Sequence, residues 1–155
     1  MSEQASGYVE RFDWDTACEL PSYVFEALEK PNKAINPIAI LATVDKDGAP
    51  RTAPFGSLRA VTPRLLRLIS LRYHDTYVNL CRDGRVSVSL VAPPDISVSI
   101  FGVARVAREK MQTAEQYAIL EIDVQNVKND MVRTGVIDSA TRFAVCEQHW
   151  PWFDA

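Results

Sequence analysis

The chain has 155 residues, 47% of them hydrophobic and 24% charged, with a formal net charge of −3 at pH 7 and a pI near 5.4. That length suits one domain with a sizeable core. The acidic balance argues against nucleic acid as the main partner, and no apolar run approaches the roughly 20 residues of a membrane span.

The opening stretch MSEQASGYVERFDWD is polar and acidic, unlike a signal or transit peptide, so the expected compartment is the cytoplasm. Residues 1–19 show little periodicity and read as an arm, with Phe12 and Trp14 available to pack on the body or on a partner subunit. Pro21-Ser22 opens a short helix through about Lys30, with Tyr23, Ala27 and Leu28 at helical spacing. The apolar run Ile38–Val44 stops at Asp45-Lys46-Asp47-Gly48. Asp-Gly between two extended runs is a hairpin signal, because Gly accepts φ > 0 without steric cost. A second extended run covers Pro50–Val61, and Pro54 inside it limits that strand to an edge or a bulge. Thr62-Pro63-Arg64 turns the chain into a third strand, Leu65–Leu71. Asp75 can then cap a short helix that Gly84 closes at C′.

Arg85–Val91 alternates Val86, Val88 and Leu90 with Ser87 and Ser89, the pattern of a strand with one buried face. After Pro93-Pro94-Asp95, a long strand runs over Ile96–Arg108, with Gly102 marking a bend or bulge. Glu109–Gln116 is a polar connection, and Tyr117–Lys128 is a further strand whose phase slips at Asn126-Val127. Asp138 or Ser139 can cap a last helix through about His149. Residues 136–155 then form a C-terminal helix and aromatic tail, in which Trp150 and Trp152 suit a dimer interface. Cys18, Cys81 and Cys146 are odd in number and far apart, and the two histidines give them no metal-ligand spacing. They read as reduced thiols in or near the core.

At least six strands on short turns, with short helices between, predict a mainly β single domain: an antiparallel barrel. Closure would remove exposed sheet edges, and the Pro54 strand is where such a barrel would open or split.

The order ILATVDKDGAPRTAP, LRLISLRYHDTYVNL, GRVSVSL resembles the pyridoxamine 5′-phosphate oxidase-like, FMN-binding split β-barrels. Thr43–Arg51 matches the family hairpin T-V-D-x-D-G-x-P-R. Ile69–Leu90 matches the family's strand, its short helix ending in Asn-Leu and its R-V-S-L strand. The resemblance spans about Ile38–Val127 and implies a split barrel, a homodimer and FMN bound between subunits. In that family a Lys or Arg near the start of the short helix commonly meets the FMN phosphate, and here that position is Thr76.

Where the third strand meets the helix, the sequence Arg72-Tyr73-His74-Asp75-Thr76 gathers groups suited to a phosphate. A helix N-terminus offers unpaired N–H groups and partial positive charge, and Arg supplies a bidentate fork. Asp75 opposes this, since its carboxylate competes for the same donors. Ser70 can donate to a phosphate or to a ring edge, and Arg51 is a second cation. Arg51 and Thr52 point to opposite faces of the second strand, where small Ala53 and Gly56 would admit a flat ring. The candidate cofactor-binding residues are therefore Arg51, Thr52, Ala53, Ser70, Leu71, Arg72, His74 and Thr76. No catalytic residue and no metal ligand is assigned.

No G-x-S-x-G, H-E-x-x-H, Walker or G-x-G-x-x-G motif occurs. That suits chemistry supplied by a cofactor. The expected function is an FMN-dependent oxidoreductase acting on a small molecule. The alternatives are a flavin- or haem-binding protein without turnover, in storage, sensing or stress, and a deazaflavin-dependent reductase.

Overall fold

Alternating apolar residues along five long segments pair into one antiparallel sheet. The computed structural model describes residues 13–29, 38–142 and 146–149. Its strands are β1 (Thr16–Ala17), β2 (Ala39–Val44), β3 (Pro50–Phe55), β4 (Arg59–Thr62), β5 (Leu65–Leu71), β6 (Arg85–Ala92), β7 (Ile96–Arg108) and β8 (Tyr117–Asn129); its helices are α1 (Ser22–Glu29) and α2 (Asp75–Arg82). The strands lie in the order β3-β2-β6-β7-β8-β5-β4, with β1 on β8. Leu41, Val88, Ile100, Leu120, Ile122, Leu66 and Leu68 project from the inner face and are fully or almost fully buried. Each such side chain contributes about 1.5–3 kcal/mol by leaving water.

The curled sheet does not close. Its two ends are β3 and β4, neighbours in sequence that do not pair. The single run expected over Pro50–Val61 is therefore two strands, interrupted at Gly56–Leu58. Ser57 explains the break. Its hydroxyl donates to the Ile69 carbonyl at 3.0 Å and accepts from the Ile69 N–H at 3.1 Å, so a side chain stands in for the ladder. Pro54, which has no N–H, sits on edge strand β3, as its chemistry requires. The expected opening at this strand is observed, and the closed form is not.

The Asp45–Ala49 hairpin turns at Gly48, with φ of +83°. Asp45 accepts there from the N–H groups of Asp47 and Ala49, both at 2.9 Å. The bend expected at Gly102 is a shift in the β7–β8 register between Phe101 and Gly102. Opposite it, Asn126 pairs with Phe101 and Val124 with Gly102, which places the bulge at Gln125, beside the expected phase slip.

Residues expected in an arm join the sheet instead. Asn129 N–H donates to the Asp15 carbonyl at 2.8 Å, and the indole of Trp14 donates to the Tyr23 hydroxyl at 3.1 Å. Helix α1 buries Val24 and Leu28 and packs beside β4. The C-terminal helix expected from Asp138 to His149 is not present over residues 138–142, and Glu147–His149 is one 3₁₀ turn. The Thr141 carbonyl, which a helix would use internally, accepts instead from Ile38 N–H at 3.5 Å, and Ile137 N–H, ahead of the expected cap, bonds the Pro94 carbonyl at 2.8 Å. Phe12, Trp150 and Trp152 lie outside the described residues. Cys18, Cys81 and Cys146 are free thiols on the surface, not core residues.

Gly102 is where the sheet is tightest. A Cβ there would stand 2.5 Å from the Asp123 carbonyl oxygen and 2.6 Å from Ile122 Cγ2. Gly102→Ala is therefore expected to lower stability by about 1–3 kcal/mol, the usual cost of forcing atoms into a packed site. A urea titration measures it, and an unchanged midpoint would contradict the close approach.

Candidate functional site

Helix α2 follows β5 after a sharp turn in which His74 N–H donates to the Leu71 carbonyl at 3.1 Å. Its inner face carries Thr76, Asn79 and Leu80, all buried, and lies against β2, β3, β5 and β7. The expected cap, Asp75, is the first helical residue, and the cap itself is His74. His74 has extended backbone, and its ring nitrogen Nδ1 accepts from Thr76 N–H at 3.1 Å. This requires an unprotonated Nδ1. The ring also stands edge-on to Phe55 of β3, with centroids 5.6 Å apart.

Gly84 does not close the helix in a left-handed conformation. Asp83 caps it, its N–H bonding the Asn79 carbonyl at 2.8 Å. Gly84 is needed instead for close approach, since a Cβ would stand 2.7 Å from the Ala104 carbonyl oxygen.

Arg72, at the end of β5, is the one cation among the candidates that lies at this N-terminus. Its Nη2 donates to Glu109 at 3.3 Å. Its Nε is buried and has no acceptor among the described residues. A buried guanidinium N–H without a partner is costly, about 1–3 kcal/mol or more for a charged group, so the position invites an anionic oxygen. Tyr77 lies next to Arg72 and Cys81; burial, then the Cys81 thiol, hold its phenol above its ordinary value. It is a neutral hydroxyl at physiological pH.

The other candidates divide. Ser70 is buried, 2% exposed, and its hydroxyl donates to the Leu71 carbonyl at 3.2 Å; Leu71 is exposed. Thr76 is 3% exposed, so its side chain belongs to the interior. Arg51 does not join this corner within one chain. It pairs with Thr43 at the hairpin end of β3, and its Nε donates to Asp45 at 2.9 Å. That guanidinium, with the Ala49 N–H, holds the Asp45 carboxyl below its ordinary value. Thr52 is exposed, and Ala53, opposite Leu41, is half-buried.

Sequence reasoning passed over the polar link that fixes α2. Asn79 Nδ2 donates to Thr43 Oγ1 at 3.1 Å in the interior, and Arg82 Nη2 donates to Asn79 Oδ1 at 3.0 Å and to the Val44 carbonyl at 2.8 Å. The available signal was Thr43, a polar residue in register with the buried positions Ala39 and Leu41. Glu109, in the connection read as merely polar, was also missed. Among the described residues no His, Cys, Asp and Glu cluster could hold a metal ion, and no helix is long and apolar enough to cross a membrane.

An open antiparallel barrel with a helix set into one side defines the chain as a split β-barrel. Residues 30–138, more than half of the chain, match the family model described as pyridoxamine 5′-phosphate oxidase, and the chain belongs to that family. Its members bind flavins or haem and are commonly dimeric. A search of curated proteins finds no match. Among solved structures the chain is similar to a Lactobacillus delbrueckii protein named as a proposed pyridoxamine 5′-phosphate oxidase, with 20% identity, a TM-score of 0.53, and 64% of this chain and 98% of that one covered. It is also similar to a HupZ variant from Group A Streptococcus (16%, TM-score 0.57, 70% and 97% covered) and to an F420 reductase (16%, TM-score 0.57, 72% and 100% covered). At these identities the likeness is one of fold.

The cap is directly testable. His74→Ala is expected to cost about 0.5–2 kcal/mol, as for other lost N-caps. Thermal unfolding of the two proteins measures this, and equal melting temperatures would show that the imidazole does not support the helix.

Proposed function

We propose that the chain binds FMN, with the phosphate at the junction of β5 and α2, and acts as a flavin-dependent oxidoreductase on a small molecule within a homodimer. The observation that carries this reading is the buried, partnerless Nε of Arg72 beside a helix N-terminus. A phosphate oxygen there would satisfy that donor. The fit is local. Thr76 N–H already has the His74 ring as acceptor, and Glu109 occupies another nitrogen of Arg72. Arg72 would hold the phosphate, the first turn of α2 would add its partial positive charge, and Ser70 lies within the same strand end.

Bound flavin supplies hydride or electron transfer. The chain's own groups position it: Arg72 fixes the charged end, Phe55 and His74 wall the corner, and half-buried Ala53 leaves room beside β3. Arg51 has no part in this reading.

The test is a flavin-fluorescence titration of the parent and Arg72→Ala with FMN and with riboflavin. One charge-assisted bond is worth about 1.5–3 kcal/mol, so Arg72→Ala is expected to weaken FMN by roughly ten- to a hundredfold and to leave riboflavin unchanged. An unaltered FMN-to-riboflavin preference would refute the assigned phosphate position. Thr76→Lys is not a useful gain of function, because Thr76 is buried and a lysine there would lose its hydration. If the parent binds neither flavin, the FMN reading falls. The absorption spectrum of the purified protein then separates deazaflavin from haem, which gives a Soret band. Anaerobic reduction by a nicotinamide cofactor separates turnover from simple carriage.

The homodimer is checked by light scattering at micromolar concentration. Twice the chain mass of 17.4 kDa is expected, and a monomer mass would remove the partner subunit from the reading.

A further inference from the structure

We infer that Glu109 is an internal competitor at the Arg72 corner: its carboxylate occupies the guanidinium when no ligand is bound, and an incoming anion binds by displacing it. This rests on the reading of Arg72 as the phosphate-holding residue, though not on flavin being the molecule that carries the phosphate.

Arg72 directly follows β5, and Glu109 directly follows β7. Arg72 Nη2 donates to Glu109 Oε1 at 3.3 Å, and the two side chains are 23% and 69% exposed. Two other arginine–carboxylate pairs of this chain are built differently. Glu121, 13% exposed, accepts from Arg67 Nε at 3.1 Å and Nη2 at 2.8 Å. Asp83, 27% exposed, accepts from Arg85 Nε at 3.0 Å and Nη2 at 2.7 Å. Both use the guanidinium as a fork. The Arg72–Glu109 contact is longer than the about 2.7–2.9 Å usual for such bonds. It leaves the buried Nε without an acceptor among the described residues.

A carboxylate so placed blocks the guanidinium without satisfying it. An anion entering the corner meets the negative charge of Glu109, and like charges at close range repel. The carboxylate has an exit, since its side chain is already mostly in water and regains hydration on leaving. The backbone need not follow it. Met111 N–H donates to the Tyr117 carbonyl at 2.9 Å, Tyr117 N–H to the Ala114 carbonyl at 3.1 Å, and Arg72 N–H to the Gln116 carbonyl at 2.9 Å. The connection between β7 and β8 is thus held by its own turn and by Arg72's main chain. Binding then requires chains in which Arg72 is released, and the apparent affinity falls with the fraction of chains in that state.

The experiment is a phosphorus NMR titration of inorganic phosphate, at constant ionic strength, with the intact parent, Glu109→Gln, Arg72→Ala and the double variant. FMN and riboflavin are titrated alongside by fluorescence. Glu109→Gln keeps the size of the side chain and removes its charge. It is expected to bind phosphate and FMN roughly two- to fivefold more tightly than the parent, the range for one exposed ion pair, with riboflavin unchanged. The double variant should respond no better than Arg72→Ala. Weaker phosphate binding by Glu109→Gln, as expected if Glu109 only holds Arg72 in place, overturns the inference, and so does a gain that persists in the double variant. A phosphate response that Arg72→Ala abolishes and Glu109→Gln leaves unchanged overturns the competition alone and keeps the Arg72 position. No response from any of the four chains removes both. If the phosphate gain appears while no chain binds a flavin, the inference stands and the FMN reading falls.

Discussion

The buried hydrogen bond from Asn79 to Thr43 is the contact on which the candidate site depends. Helix α2 has only eight residues, too few to be stable alone. Its position is set by Leu80 in the core and by a polar link that must be complete, because a buried amide without a partner costs more than a formed bond returns. Arg82 completes it by bonding both Asn79 and the Val44 carbonyl. With the C-terminal half tied to β2, the first turn is carried to the end of β5, beside Arg72 and Phe55. The geometry of the corner thus follows from residues that do not line it.

The same packing explains why Thr76 is uncharged. At 3% exposure its side chain faces the core, where an ammonium group would have to be desolvated. The positive charge at this end of α2 resides on Arg72, whose Nη2 is held by Glu109 and whose Nε remains open. Charge and helix terminus therefore come from two elements joined by one turn, not from one residue at the head of the helix.

Strand alternation was the most legible part of the sequence. The limits of β5 and β7 follow from it directly, because each has one face in the core and the period-two pattern admits no other register. The Asp-Gly turn and the irregularity at Gly102 were legible for steric reasons. Three features were not. The division of Pro50–Val61 depends on Ser57 turning its hydroxyl to a strand it does not neighbour in sequence. The cap at His74 uses an imidazole acceptor, which propensity does not favour over the adjacent Asp75. The last helix is absent over residues 138–142, where the Thr141 carbonyl accepts from Ile38, a residue more than a hundred positions away that no local pattern could indicate. Arg72 and His74 are two positions apart, so a local motif was enough to group them as candidates. Glu109 is 37 positions from Arg72, and only the folded chain brings the two together.

The open sheet leaves two strands whose outer backbone groups have no partner strand among the described residues, and such edges are templates for pairing with another chain. Here both are poor templates. On β3, Pro54 removes a donor and the exposed Arg51 and Thr52 keep the strand hydrated. On β4, only four residues long, the register slips between Ala60 and Thr62, and Arg59 brings a charge to the edge. The split therefore resists fibril-like addition of further strands, and the molecule keeps its opening without becoming a seed for aggregation.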